Sequence, residues 1–386
     1  MQGDYDQIGR GTIEARSPGS RHDQGWETLS NQERPATMKD VATLAGVGLA
    51  TVSRVVNGTA NVNPDLVRRV TEAGRKLGYR HDLTASSLRR ADRKTRTIGL
   101  ILEDVANPYS SALHRSVEEA CRQRGILVIA GSSDEDPGRE NDLVQTFTQR
   151  RVDGLIVVPT GRSDEEIARV RRAGTPIVCV DRLVDIPDVD TVTVDNAGST
   201  CEAVLSLIAL GHRRIGYLGD LDTIWTARQR YAGFAEAHAR AGLPLDAGLI
   251  RRNIHDSDAA EQAVRELLAS AAPPTALFTA QNLLTIGAFC AMRAMAAHRR
   301  IALIGFDDFP LAGVLEPAVS VIAQDPAAIG VTAARLLLER LDDNDSPPRH
   351  EIVPIRYLPR GSGEIAPGQP ASAGPAVASP GQGPSS

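Results

Sequence analysis

Residues Thr37–Gly58 read TMKDVATLAGVGLATVSRVVNG. Thr37, with Asp40 three residues on, forms an approximate capping box that opens a helix. Val41, Leu44 and Ala45 then recur at helical spacing. Gly46-Val47-Gly48 breaks the helix, Leu49–Val56 restarts it with Val52, Val55 and Val56 free to pack, and Asn57-Gly58 stops it. Two short helices joined by a glycine-containing turn define a helix-turn-helix. A third helix follows, with Asn63 as cap, Pro64 at its first position and Leu66, Val67, Val70, Ala73 and Leu77 along one face. Arg68, Arg69, Arg75 and Lys76 lie on or near the other face, and Gly78 ends it.

In such a motif the second helix enters the major groove and its first residues reach base edges. Arg54 can pair with guanine in bidentate fashion, worth about 1–3 kcal/mol of discrimination. Thr51 and Ser53 can hold phosphates and fix register. Periodicity alone leaves open a solvated helical hairpin in a larger helical protein. Charge distribution favours DNA. From Thr37 to Arg96, 12 Lys and Arg stand against 5 Asp and Glu, so this segment carries +7 and the rest of the net −5 chain carries −12. A basic module on an acidic body fits a DNA-binding head on a regulator.

Flanking composition sets other bounds. Met1–Ala36 is polar and aperiodic, the pattern of a disordered extension without a secretory h-region. Cys121, Cys179, Cys201 and Cys290 are scattered through apolar segments and read as buried thiols in a reducing cytoplasm. No metal-ligand spacing, cofactor motif or apolar run of the ~18–20 residues that a membrane span requires is present. With aromatics at 4%, the core must come from Val, Ile, Leu and Ala.

From Thr97 the pattern alternates. Strand-like runs at 97–102, 126–131, 154–159 and 176–181 enclose helices at 113–125, 143–150 and 165–174. DTVTVDN (190–196) crosses to a second series, with strands at 214–220, 276–280 and 301–308 and helices at 201–210, 229–241 and 286–296. SVIAQD (320–325), a helix over 327–341 and EIVPIRYLP (351–359) close it. Strand–helix alternation predicts parallel sheets covered by helices on both faces. Two such lobes joined by several crossings form the periplasmic-binding-protein architecture, with a ligand in the cleft. The Pro-, Gly-, Ala- and Ser-rich tail, 361–386, reads as disordered and lacks leucine heptads, so a dimer is expected rather than a tetramer.

The head, followed by a capped helix and Leu77-Gly78-Tyr79, resembles the DNA-binding head of the lactose-repressor (LacI/GalR) family. Asn107-Pro108-Tyr109, Val152–Ile156, Gly211–Ile215, Gly305–Asp308, Gln324 and Arg360–Ser362 extend the resemblance to about Ser362. It implies an all-α helix-turn-helix domain over 37–81, a hinge over 82–96 and an α/β two-lobed effector-binding and dimerisation domain over 97–360. One lobe is expected at about 97–194 and 324–345, the other at about 195–323 and 346–360. Leu49, Ala50 and Arg54 match base-reading positions; Thr37 and Asn57 count with Thr51 and Ser53 as further DNA-contacting residues. Leu88 matches a leucine that wedges between base steps in the minor groove. Gly48 and Asp82 depart from the family's usual Ser-like cap and Asn, and the turn before Ile301 is shorter than usual.

Ligands of open α/β lobes sit beyond the carboxyl ends of strands. That rule selects Glu103, Asp104, Asn107, Asp195, Asn196, Thr226, Arg228, Asn282 and Asp308 among others. By resemblance Arg230, Gln281, Asp307 and Gln324 match effector positions, and Tyr109 and Asp181 line the mouth. His255 or Asp256 falls where the family often has a ring-stacking aromatic. The expectation is a cytoplasmic, dimeric repressor of a pseudo-palindromic operator, controlled by a small carbohydrate or polyol. A binding protein without DNA function would need a signal peptide and no basic head. An enzyme would need a triad order, a P-loop or metal spacing.

Overall fold

A computed structural model of the chain describes residues 36–56, 62–79, 94–161, 164–342 and 346–368. The first two segments form a three-helix unit: α1 (Met38–Ala45), α2 (Leu49–Val56) and α3 (Pro64–Lys76). Thr37 and Asp40 complete a full capping box, the Thr37 amide donating to the Asp40 carboxylate at 2.8 Å. Gly46 closes α1 in the left-handed conformation (φ 62°), which glycine reaches without penalty. Val41, Ala42, Ala45, Val52, Val70 and Ala73 bury themselves as the core. Leu44 (51% exposed), Val67 and Leu77 point outward, correcting the apolar faces drawn from spacing. A stripe inferred from spacing is wider than the seam a three-helix unit this small can cover. Arg69 is an exposed cation that also caps α1 from α3, its guanidinium donating to the Ala45 and Gly46 carbonyls at 2.6 and 3.1 Å.

The remaining segments form two lobes. The first sheet has order β11-β5-β4-β3-β1-β2 and is parallel throughout, built from β1 (Thr97–Leu102), β2 (Leu127–Ser132), β3 (Gly154–Val157), β4 (Ile177–Val180), β5 (Asp190–Thr193) and β11 (His350–Ile352). The second repeats that plan as β12-β10-β9-β8-β6-β7, from β6 (Ile215–Leu218), β7 (Ile250–Arg251), β8 (Ala276–Thr279), β9 (Ala302–Phe306), β10 (Ser320–Ala323) and β12 (Arg356–Leu358). Its β12 runs antiparallel to β10. Helices α4 (Pro108–Arg122), α5 (Pro137–Gln149), α6 (Asp164–Arg172) and α11 (Pro326–Leu341) belong to the first lobe. Helices α7 (Asn196–Ala209), α8 (Trp225–Arg240), α9 (Ser257–Ala269) and α10 (Asn282–Ala294) belong to the second. No helix among the described residues is long and apolar enough to cross a membrane.

Parallel strands covered on both faces must be apolar without alternation. Strands β3, β4, β6 and β8 are buried at every residue. The chain passes between lobes three times: after β5, after β10 and between β11 and β12. The third passage corrects two expectations. The run 351–359 is two strands in different sheets, because Pro354 cannot continue a ladder. Residues 350–352 accordingly pair with β5 in the first lobe, although 346–360 was expected wholly in the second. Helices α4 and α5 begin five or six residues earlier than their apolar periodicity indicates, because Asn107-Pro108 and Asp136-Pro137 cap them. Cys121, Cys179 and Cys201 are buried as expected; Cys290, on the outer face of α10, is exposed.

The expected tail boundary at residue 361 also moves. Ser362 and Ile365 are buried against the second lobe. The Ser362 hydroxyl donates to the Leu303 carbonyl at 2.6 Å and accepts from the Ser320 amide at 2.9 Å. His212, fully buried, is bonded through Nε2 to the Ile365 carbonyl at 2.8 Å. Replacing Ser362 by Ala strands two buried backbone groups, so Ser362→Ala is expected to cost about 1–3 kcal/mol. Urea unfolding should show a lower midpoint at an unchanged slope; an unaltered midpoint would make residues 361–368 a peripheral strap.

Candidate functional site

Two surfaces collect the residues singled out above. On the helical unit, α2 turns Val52 inward, which sends Leu49, Ala50 and Arg54 outward as exposed side chains, with Thr51 and Ser53 half-buried beside them. Gly48 precedes α2 and its carbonyl accepts from the Thr51 and Val52 amides at 2.9 and 3.2 Å. It supplies no side-chain cap, and a β-carbon there would meet open space. Thr37 is engaged in capping α1. Asn57 and Leu88 lie outside the described residues.

The second surface is the cleft between the lobes. Glu103, Asn107, Tyr109, Asp181, Arg182, Asp220, Ile224, Thr226, Arg230, Gln281, Asn282, Asp307 and Gln324 enclose a cavity of about 30 Å³, room for a water or two. All six effector residues selected from the sequence are therefore brought together. Most walls are strand ends or the first turns of helices. Asp181 follows β4 and Asp307 follows β9, and both carry left-handed backbone (φ 69° each). The Asp181 amide donates to Val192 of β5 at 2.9 Å and the Asp307 amide to Ile322 of β10 at 2.8 Å, so the two occupy equivalent places in the two lobes.

Arg230 is the hub of the second lobe's wall. It projects from α8, donates to Asn196 Oδ1 at 2.8 Å and the Ala280 carbonyl at 2.6 Å, pairs with Asp307 at 3.3 Å, and lies 3.7 Å over the Phe306 ring. Gln324, on the crossing after β10, donates to Asp307 at 2.7 Å. Burial pushes the Asp307 carboxyl up; Arg230 and the Gln324 bond oppose this. Gln281 caps α10 through its carbonyl and donates to Asp220 at 2.9 Å. In the first lobe Arg182, buried, binds Glu135 through both terminal nitrogens and pairs with Glu103 and Asp181 at 3.4 Å each. Burial, then the neighbouring carboxylates, raise Glu103 to about 8 despite Arg182. Burial, then Asp181, hold the Tyr109 phenol well above its usual range. Among the described residues, a hydrogen bond from Asn282 Nδ2 to Asn107 Oδ1 at 2.9 Å spans the lobes, and Asn107 in turn donates to Glu103 at 3.1 Å.

Other candidates fall elsewhere. Arg228 is exposed and bonds the Asp222 and Thr223 carbonyls. Asp308 forms a two-pronged ion pair with Arg360 at 2.6–2.7 Å. Asp195 caps α7, and Asp256 caps α9. His255 bonds Asp220 at 2.8 Å, and neither His255 nor Asp256 lines the cavity. Asp220 and Glu135 are additions. Asp220 follows β6 as Glu103 follows β1, so the strand-end rule could have found it; Glu135 sits in a loop with φ 57°, which composition does not signal. Among the described residues no His, Cys, Asp and Glu group is arranged to hold a metal ion.

A helix-turn-helix unit and a two-lobed cleft in one chain define a ligand-responsive DNA-binding regulator. Residues 37–82 match the family model "Bacterial regulatory proteins, lacI family", and residues 204–363 match "Periplasmic binding protein-like domain". Catabolite control protein A of Priestia megaterium is 30% identical over 309 residues, covering 79% of this chain and 92% of that protein. The ribose operon repressor of Escherichia coli (strain K12) is 32% identical over 332 residues, covering 85% and 99%. The Lac repressor dimer bound to operator and the anti-inducer ONPF has a TM-score of 0.75 at 24% identity, covering 86% of this chain and all of that one, a likeness of fold. The chain belongs to the lacI family of bacterial regulatory proteins; it is a DNA-binding transcriptional regulator, and its relatives are regulators rather than enzymes.

The Asp220–His255 pair gives a pH signature. The Asp220 hydrogen bond raises His255 to about 9, from an ordinary value near 6.5. A raised folded pKa means stabilisation that is complete below about 6.5 and lost as pH rises through about 9. The melting-temperature advantage of the wild type over His255→Gln should therefore be largest near pH 6 and fade by about pH 10. An advantage that grows with pH would contradict the assigned pair.

Proposed function

We propose that the protein is a repressor that binds a pseudo-palindromic operator as a homodimer and is controlled by a small carbohydrate or polyol in the inter-lobe cleft. The observation that carries this reading is the cleft itself: Tyr109, Asp181, Arg230, Gln281, Asp307 and Gln324 converge on one cavity, closed across the lobes by Asn107 and Asn282. Polyhydroxyl ligands satisfy such a wall of buried acceptors and donors, which would otherwise be costly to keep dry. The ribose operon repressor is by name a regulator of carbohydrate use, which supports the ligand class. A cavity of about 30 Å³ cannot hold a sugar, so entry requires the lobes to part, and the ligand acts by its different affinity for the open and closed arrangements.

On the DNA side, Leu49, Ala50 and Arg54 read bases, with Leu49 and Ala50 suited to thymine methyls and Arg54 to guanine. Thr51, Ser53, Thr37 and Asn57 contact the backbone, and a Leu88 from each subunit wedges into the minor groove. Dimerisation is supported by Leu311 and Val314, 70% and 72% exposed on the segment after β9, and by the dimeric Lac repressor of similar fold. Such a protein acts as a cytoplasmic switch between a metabolite and a promoter.

Arg54→Ala is expected to reduce the preference for operator over random DNA by about 1–3 kcal/mol per half-site; unchanged discrimination in a competition gel shift would remove Arg54 from the readout. Leu88→Ala should lose DNA bending and specific affinity while nonspecific binding persists. Asp307→Asn, which keeps volume, should bind operator as the wild type does but lose the change in operator affinity that the effector causes. A wild-type response at the wild-type effector concentration would exclude Asp307 from the effector site.

A further inference from the structure

The cleft holds more carboxylates than its own cations cover. Glu103, Glu135, Asp181, Asp220 and Asp307 gather there against Arg182, Arg230 and His255. Arg182 is engaged by Glu135, Glu103, Asp181 and the Pro159 carbonyl. Arg230 is engaged by Asn196, the Ala280 carbonyl and Asp307, with Phe306 beneath it. Burial keeps the Glu103 carboxyl protonated near neutral pH, so four carboxylates stand against two guanidiniums and a protonated imidazole, which leaves one net negative charge in a site nearly closed to water. Burial is the main cause of the raised Glu103 carboxyl, and the neighbouring Asp181, Glu135 and Asp220 add to it against Arg182.

Unpartnered atoms also point to an occupant. Gln324 Oε1, on the cavity wall, is buried without a hydrogen-bond partner, and so is Arg182 Nε. Thr226, 5% exposed, lines the same wall. Buried polar atoms are rarely left unpaired unless a ligand or water completes them. Carboxylates and an amide oxygen accept hydrogen bonds and repel anions, so the complement of this wall is rich in donors and positively charged.

We propose that the effector of this cleft is an amino sugar, its ammonium lodged among Glu103, Asp181 and Asp220 and its hydroxyls against Thr226 and Gln324. Phosphorylated sugars and nucleotides are excluded, because each carries negative charge into a negative cavity. The proposal rests on the reading of the cleft as the effector site.

The test is calorimetric titration of the full chain with glucosamine, galactosamine and mannosamine, each beside its parent hexose, its N-acetyl derivative and its 6-phosphate. At least one amine is expected to bind about tenfold or more tightly than its uncharged counterparts, the yield of one charge-assisted hydrogen bond. Its 6-phosphate should be the weakest of the set. Glu103→Gln should shrink the ratio of amine to hexose affinity towards one; a ratio unchanged in that variant would overturn the assigned ammonium position. A parent hexose, N-acetyl derivative or phosphate that binds as tightly as the amine overturns the charge argument and leaves the carbohydrate-effector reading standing. Silence from every compound overturns both.

Discussion

The guanidinium of Arg230 is the contact on which the cleft is built. It joins α8 to the end of β8 through Ala280, to the crossing strand's exit through Asn196, and to the end of β9 through Asp307 and Phe306. Burying such a pair is expensive, and an apolar replacement of equal volume is often as stable. Its presence is therefore weak evidence for stability and better understood as positioning. Gln324 extends the network from Asp307 to the second of the three crossings between lobes. A ligand that touches Asp307 thus touches the lobe interior and one of the connections about which the lobes must move.

Duplication of one plan explains the rest of the site's geometry. The strand orders β5-β4-β3-β1-β2 and β10-β9-β8-β6-β7 are the same arrangement, and Asp181 and Asp307 hold the same place in each. Left-handed backbone costs a non-glycine residue about 1–3 kcal/mol, though aspartate bears it better than most. Two aspartates held this way at matching strand ends, facing one cavity, are what a scaffold does when it must aim a carboxylate. The Asn282–Asn107 bond closes the space between them. As a neutral bond it contributes about 0.5–1.5 kcal/mol to the closed arrangement.

Much of this was legible in the residues. Doubly covered parallel strands leave continuous apolar runs, so TIGLIL, GLIVVP and PIVCVD marked the first sheet, and the strand-end rule led to Tyr109, Asp181, Gln281 and Asp307. Capping residues carried α1 and α3 because their chemistry is local. What was missed depends on distance or on short elements. Charge breaks up the periodicity of α9, and β7 is two residues long. The capping role of the exposed Arg69 is invisible to spacing, since its two carbonyl partners lie more than twenty residues away. Arg228 and Arg230 differ by two positions on one helix, and only α8's packing decides that Arg230 enters the cleft while Arg228 stays outside. The division of 351–359 between sheets turned on Pro354, a breaker visible in the sequence whose consequence is topological.

The central claim is that cleft occupancy and operator binding are two readings of one equilibrium. Linkage requires reciprocity: if a ligand changes operator affinity by some factor, operator must change ligand affinity by the same factor. The direct measurement is calorimetric affinity for the sugar that most raises the melting temperature, taken with and without saturating operator DNA, beside operator affinity with and without that sugar. The account predicts two equal factors, both different from one. Ligand affinity indifferent to operator would mean that the cleft and the helix-turn-helix share a chain but not a switch.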